Sequence, residues 1–99
     1  MRVVWSPLAL DRAAEAAKYI ARDGPEVAAA WVDGLFDVVG KLVQFPRRGR
    51  VVPEVGRPEI RELLYKGYRV VYRVDQKQVL VLTVRHQRRR FTEAALEGE

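Results

Sequence analysis

The sequence predicts an α+β domain in the order β-α-α-β-β-β. It has a short N-terminal strand and an antiparallel two-helix hairpin packed on one face of a small antiparallel β-sheet. Three observations carry that prediction. Residues 7–44 hold two stretches whose apolar residues recur at helical spacing, parted by Asp23-Gly24-Pro25. From Ile60 the spacing switches to strict alternation, in three runs separated by two-residue breaks. A short apolar run, Val3-Val4-Trp5, precedes the helices.

Each element has a local reason. Val3–Trp5 suits a first strand, and Ser6 followed by Pro7 places an N-cap before a first helical residue. The first helix carries a stripe of Ala9, Ala13, Ala16, Ala17 and Ile20, and its small residues let a second helix come close. Pro25 opens that second helix, expected to run to about Gln44 with Val27, Trp31, Leu35, Val38 and Leu42 on its buried side. Phe45-Pro46 end it. So short a break makes the pair an antiparallel hairpin, about residues 7–45. Residues 46–58, PRRGRVVPEVGRP, read as an irregular, basic connection. Ile60–Tyr65, Tyr68–Asp75 and Gln78–Val84 are strands joined at Lys66-Gly67 and Gln76-Lys77, a sheet over about 59–85. The basic tail, 86–99, holds a short final helix capped by Thr92.

Ninety-nine residues, 48% of them hydrophobic, make a single domain over 1–99 with one modest core. The absence of cysteine excludes disulfides. The start, MRVVWSPLAL, has one arginine and no long apolar run, so neither a signal peptide nor a membrane span is expected. The expected location is the cytoplasm. With one histidine, no cysteine and no carboxylate cluster, no metal or other cofactor is expected.

Charge is unevenly placed. Residues 1–46 hold five Lys/Arg and six Asp/Glu, net −1; residues 47–90 hold thirteen and four, net +9; residues 91–99 carry three glutamates and no base. The second half is therefore expected to face something anionic, with nucleic acid the default, unless its arginines serve solubility alone.

Counting outward from two-residue loops sets a register. One sheet face then collects Tyr68, Val70, Tyr72, Val74, Val79 and Val81, nearly all apolar, and belongs to the helices. The other mixes Ile60, Leu64, Val71, Leu80, Leu82 and Val84 with Glu62, Arg69, Arg73 and His86, a mixture suited to a surface covered when a partner binds. Arg69 and His86 come out as diagonal neighbours. A planar arginine fork suits phosphate, and histidine moves protons near neutral pH, so the pair could support metal-free RNA cleavage through the 2′-hydroxyl. The alternative reading has Arg69 and Arg73 pairing with Glu62 across the strands and His86 in a structural role.

The order WSPLALDRAAEAAKYIA, AAAWVDGLFDVVGKLVQFPRRGRVVPE and IRELLYKGYRVVYRVDQKQVLVLTVRHQRRRF resembles the RelE/ParE superfamily of toxins from bacterial type II toxin–antitoxin modules, over about residues 3–91. The resemblance implies a growth-arresting toxin held inactive by a tightly bound cognate antitoxin. The antitoxin's C-terminal part wraps the toxin and its N-terminal part binds the operator, so operator DNA is reached only through the antitoxin. RelE-like members cut mRNA in the ribosomal A site, and ParE-like members poison DNA gyrase. Arg69 in GYR matches an arginine that the nuclease members use at the scissile phosphate, and His86 falls near the sheet end where their last catalytic groups stand. The lysine pair of RelE's preceding strand is replaced by Ile60-Arg61-Glu62, and its C-terminal tyrosine by Phe91, which has no hydroxyl. The tail VRHQRRRF and the GRVVPE loop lie closer to the ParE side. On that side the expectation is a gyrase inhibitor whose Arg69, Arg73, Arg88, Arg89 and Arg90 contact the target. The alternative is a ribosome-dependent endoribonuclease in which Arg69 and Arg61 clamp phosphate and His86 is the general acid. A third class is a nucleic-acid-binding domain without toxicity.

Overall fold

Ser6 starts the first helix in the way its sequence predicts. Its Oγ accepts a hydrogen bond from the Ala9 N–H at 3.0 Å, and Pro7 opens the first turn. The computed structural model describes residues 1–97, and its elements are β1 (Arg2–Trp5), α1 (Pro7–Ile20), α2 (Pro25–Gly40), β2 (Arg50–Val51), β3 (Ile60–Tyr65), β4 (Tyr68–Val74) and β5 (Gln78–His86). Short 3-10 turns follow α1 at Ala21–Asp23 and α2 at Lys41–Val43, and one closes the described chain at Glu93–Glu97. That last turn stands where the Thr92-capped helix was expected, and the Ala95 N–H donates to the Thr92 carbonyl. The remainder of the expected tail, Gly98 and Glu99, lies outside the described residues.

Gly24, at φ 126°, makes the break between the helices that a side chain would resist. The α1 stripe of Ala9, Ala13 and Ala16 is buried, with Ala17 and Ile20 packed against the core. The stripe on α2 differs by one position from the expected one. Ala28, Trp31, Leu35, Val39 and Leu42 are buried, whereas Val27 is exposed and Val38 half-buried. Apolar residues stand at both 27 and 28 and at both 38 and 39, so the sequence allows two stripes and packing selects one.

The α+β architecture is the expected one, with two additions. The sheet has five strands in the order β1-β5-β4-β3-β2, and β1 runs parallel to β5, which makes it a mixed sheet. Arg50–Val51, inside the connection read as irregular, pair with Glu62 and Arg61 as an edge strand. Both turns form as counted. Lys66 and Gly67 take φ of 46° and 85°, the left-handed pair that a two-residue hairpin favours. Asp75 Oδ1 accepts from the N–H groups of Lys77 and Gln78 at 2.9 and 2.8 Å, closing the second turn.

Beyond the Tyr72–Val81 pair the counted register fails. Val74 faces Val79 and Tyr72 faces Val81, but Val71 faces Thr83, so Leu82 is an extra residue in β5. The bulge lies where β1 ends: the Ser6 N–H donates to the Val81 carbonyl at 3.0 Å and Ser6 Oγ to the Leu82 carbonyl at 3.1 Å. Everything beyond it changes face. Val84 joins the helix-side core with Val70, Tyr72, Val79 and Val81, and His86 comes opposite Tyr68 on that same side. Arg85 takes the place opposite Arg69. The second face is also covered in part within the chain, although Leu64 and Arg73 stay exposed on it. Val52, Ile60, Val71 and Phe91 form a smaller core there, with Val55, Leu82 and Leu96 against it.

Tyr65 links sheet to hairpin by donating to the Trp31 carbonyl at 2.8 Å, and a Cβ on Gly34 would stand 2.3 Å from that hydroxyl. Gly34→Ala is therefore expected to cost about 1–3 kcal/mol in urea unfolding. Gly40→Ala, a helical site with open space around it, should instead gain about 0.5–1 kcal/mol. Equal effects at the two glycines would contradict this account of the hairpin's seat.

Candidate functional site

Arginine face of the sheet. Arg69 projects from β4 onto the second face and is only 7% exposed. Its Nε donates to Glu62 Oε1 at 2.5 Å, and its Nη1 and Nη2 donate to the two oxygens of Glu54 at 2.8 and 2.7 Å. Glu62 is fully buried, and its other oxygen accepts from Arg50 Nε at 2.6 Å. Two carboxylates thus fill the arginine fork, the bidentate geometry that makes such pairs strong. Phe91 lies over the guanidinium with 4.6 Å from Cζ to the ring centroid, and Arg85 approaches the same ring at 5.9 Å. Arg85 is held in turn by donating from Nη2 to the Arg90 carbonyl at 3.1 Å.

The electrostatics follow from these contacts. Hydrogen bonds from Arg69 hold the Glu54 carboxyl down at about 2, against the smaller opposing effect of burial. Arg69 itself is driven further up by Glu54 and Glu62, and stays charged at any working pH.

The other candidate residues stand elsewhere. Arg61, one residue from Glu62 and hence on the opposite side of the pleat, donates to the carbonyls of Pro58 and Gly49, both at 2.9 Å. His86 is on the helix side, edge-on to Tyr68 with centroids 5.2 Å apart, and its Nδ1 accepts from the Arg88 N–H at 3.1 Å. The diagonal Arg69–His86 contact expected from counting does not form, because the bulge turns His86 away. Arg61 pairs with Tyr72 and His86 with Tyr68, four residues apart on β4, about 13 Å along the strand. The three residues of the nuclease reading therefore do not converge. Arg73 is exposed at the other end of β4, and Arg88, Arg89 and Arg90 are exposed in the turn after β5. The residues that sequence reasoning left out of this cluster are Arg85, Arg50 and Glu54. A count that cannot see a bulge cannot place Arg85, and Glu54 belongs to a loop with no periodicity. The pairing of Arg69 with Glu62, one of the two readings of that face, is present.

The family model for the ParE toxin of the type II toxin–antitoxin system, parDE, matches residues 3–91. The chain belongs to that family. A solved structure described as the chromosomal ParDE toxin–antitoxin system from P. aeruginosa shares the fold, with a TM-score of 0.74 and 22% identity. The match covers 87% of this chain and 95% of that one. No curated protein matches the sequence. Membership in a toxin–antitoxin family implies an antitoxin as partner. Among the described residues, no helix is long and apolar enough to cross a membrane.

Two outcomes check this site. Removing Arg69 (Arg69→Ala) leaves Glu62 buried with Arg50 alone, and should cost about 3–5 kcal/mol in urea unfolding. Because the folded Glu54 titrates below its unfolded value of 4.5, its contribution is complete above that pH and is lost as pH falls from about 4.5 through about 2. Glu54→Gln should therefore flatten the acid limb of the melting temperature against pH. An unchanged limb would show that the pair is screened to insignificance.

Proposed function

We propose that this chain is the toxin of a cytoplasmic toxin–antitoxin module, arresting growth until its antitoxin neutralises it. We further propose that it acts in the ParE-like way, by binding DNA gyrase and stabilising the cleaved-DNA state, with the antitoxin alone contacting operator DNA. One observation carries the choice of target: the arginine that would hold a scissile phosphate is already filled by Glu54 and Glu62 and capped by Phe91. Phe91 has no proton to give, and Arg61 and His86 stand on other parts of the sheet. A general acid must reach the leaving oxygen within hydrogen-bond distance, and none is so placed beside Arg69. On this reading Arg69 shapes the face, while Arg73, Arg88, Arg89 and Arg90 supply target contacts.

The second reading, a ribosome-dependent mRNA endoribonuclease, keeps one supporting observation. Arg69 and Arg85 face each other directly across β4 and β5, two guanidinium groups on one face. Induction of the chain in cells lacking the antitoxin separates the readings. Gyrase poisoning predicts intact messages by primer extension, accumulation of protein-linked broken DNA, and growth arrest that survives His86→Gln. New 5′ ends inside translated codons, lost with His86→Gln, would establish the nuclease instead.

A further inference from the structure

The helix side of the sheet is not filled to its end. Where α1 passes the end of β5, a cleft of about 350 Å³ remains, floored by Ala16 and Val84 and walled by Tyr19, Tyr68 and His86. Its origin is plain in the sequence. Ala16 is part of the alanine stripe that lets the elements approach, and at this end no larger side chain fills the space. Arg89 stands at the rim, its backbone fixed by an N–H donated to the His86 carbonyl at 3.0 Å. Arg12 and Glu15 on α1 close the other side and pair at 3.1 Å.

The walls are aromatic and ordered. His86 meets Tyr68 edge-on, and Tyr68 meets Trp31 in the same way with centroids 5.2 Å apart. Because His86 Nδ1 accepts from the Arg88 N–H, its neutral ring carries the proton on Nε2. Arg22 lies over the ring of Tyr19 at 5.3 Å. Burial first, and then the nearby Tyr19, push the Tyr68 hydroxyl above its ordinary value; like any tyrosine it is protonated at neutral pH.

We propose that this cleft takes one unpaired nucleotide of a single-stranded nucleic acid, with its base against Tyr19 and Tyr68 and its phosphate at Arg89. The chemistry matches point by point. Aromatic faces interleaved with cations bind unstacked bases of any sequence. The volume lies at the low end of small-molecule sites, enough for a base and little more. The three consecutive arginines, Arg88-Arg89-Arg90, adjoin the cleft and offer the strand a cationic path. A paired base, held in its stack, cannot reach the Ala16 floor. An amphipathic peptide would need a longer apolar strip than Ala16 and Val84 present. Arg85 lines this cleft as well as the Arg69 cluster, so the two sites adjoin at the end of β5, and the cleft does not depend on which target the toxin attacks.

The test uses the full chain, with a fluorescein-labelled oligothymidylate about ten nucleotides long as probe and its duplex as comparison, at low and physiological salt. Tyr19→Ala is the informative variant, because this ring is 59% exposed and its loss leaves the core intact. It should weaken single-strand binding about 5- to 150-fold, as expected for one lost stacking contact, while Tyr19→Phe retains it. Arg89→Ala should lower the slope of log affinity against log salt by about 1. Single strand should bind in preference to duplex. Equal binding of the two forms, or a Tyr19→Ala affinity equal to that of the wild type, would reduce the contact to a general basic surface and overturn the proposal. So would a nuclear magnetic resonance titration in which purified antitoxin moves the Tyr19 and His86 signals and the oligonucleotide does not.

Discussion

A single buried carboxylate organises the second face of the sheet. Glu62 lies fully inside, between Arg50 on the edge strand and Arg69 on the central strand, and it is uncompensated without both. Burying such a group is costly unless its lone pairs are met by charged donors in good geometry. Here each carboxylate oxygen has one, at 2.5 and 2.6 Å. Meeting that condition dictates much else. Arg50 must reach the sheet, so the connection must run beside β3, and two of its residues become β2. Gly49 makes the approach possible: a Cβ there would stand 2.4 Å from the Glu62 carbonyl oxygen, and its N–H donates to the Tyr72 hydroxyl at 2.8 Å. Glu54 then arrives from the same connection to occupy the rest of the Arg69 fork.

The second constraint is one extra residue. Leu82 enters β5 where β1 stops and the chain turns into α1, with Ser6 bonded to both sides of the irregularity. Because side chains alternate along a strand, one residue sorts the basic groups into two chemistries. Arg85 joins Arg69 under Phe91, among carboxylates, on a face the chain itself closes. His86 joins Tyr68 and Tyr19 beside the hairpin, on a face left open at its end. A small domain with net charge +5 thus carries its cations in two unlike settings, one neutralised within the chain and one available to a partner.

That division bears on how a toxin of this family meets its surroundings. The Arg69 cluster is aromatic-capped and already paired within the chain. The exposed cations on the turn after β5 and at the end of β4 are solvated and free to be neutralised by a partner, where rim charges raise association rates more than affinity. Most of the exposed large apolar residues, among them Leu10, Tyr19, Phe36 and Phe45, belong to the helical half or its exit, and Leu64 on β3 is the main exception. An antitoxin that covered them would bury surface the chain cannot bury alone.

Local pattern alone determined the order of every strand and α-helix except β2, the Ser6 cap, the Lys66-Gly67 and Gln76-Lys77 turns, the alanine stripe on α1 and the apolar helix-side face as far as Val81. Each of these depends on neighbours within a few residues, where propensity and periodicity act. The Arg69–Glu62 pair was also legible, as one of two readings, because it lies within one hairpin of counted register. Only the tertiary structure decided that β1 joins the far edge of the sheet in parallel, which of two adjacent stripes α2 buries, and that Arg50 and Glu54 reach into the Arg69 cluster. It alone placed the bulge, and with it Arg85 and His86. These features arise between segments distant in sequence. They are set by which arrangement satisfies the buried carboxylate and fills the core, and no local window of the chain contains both sides of that condition.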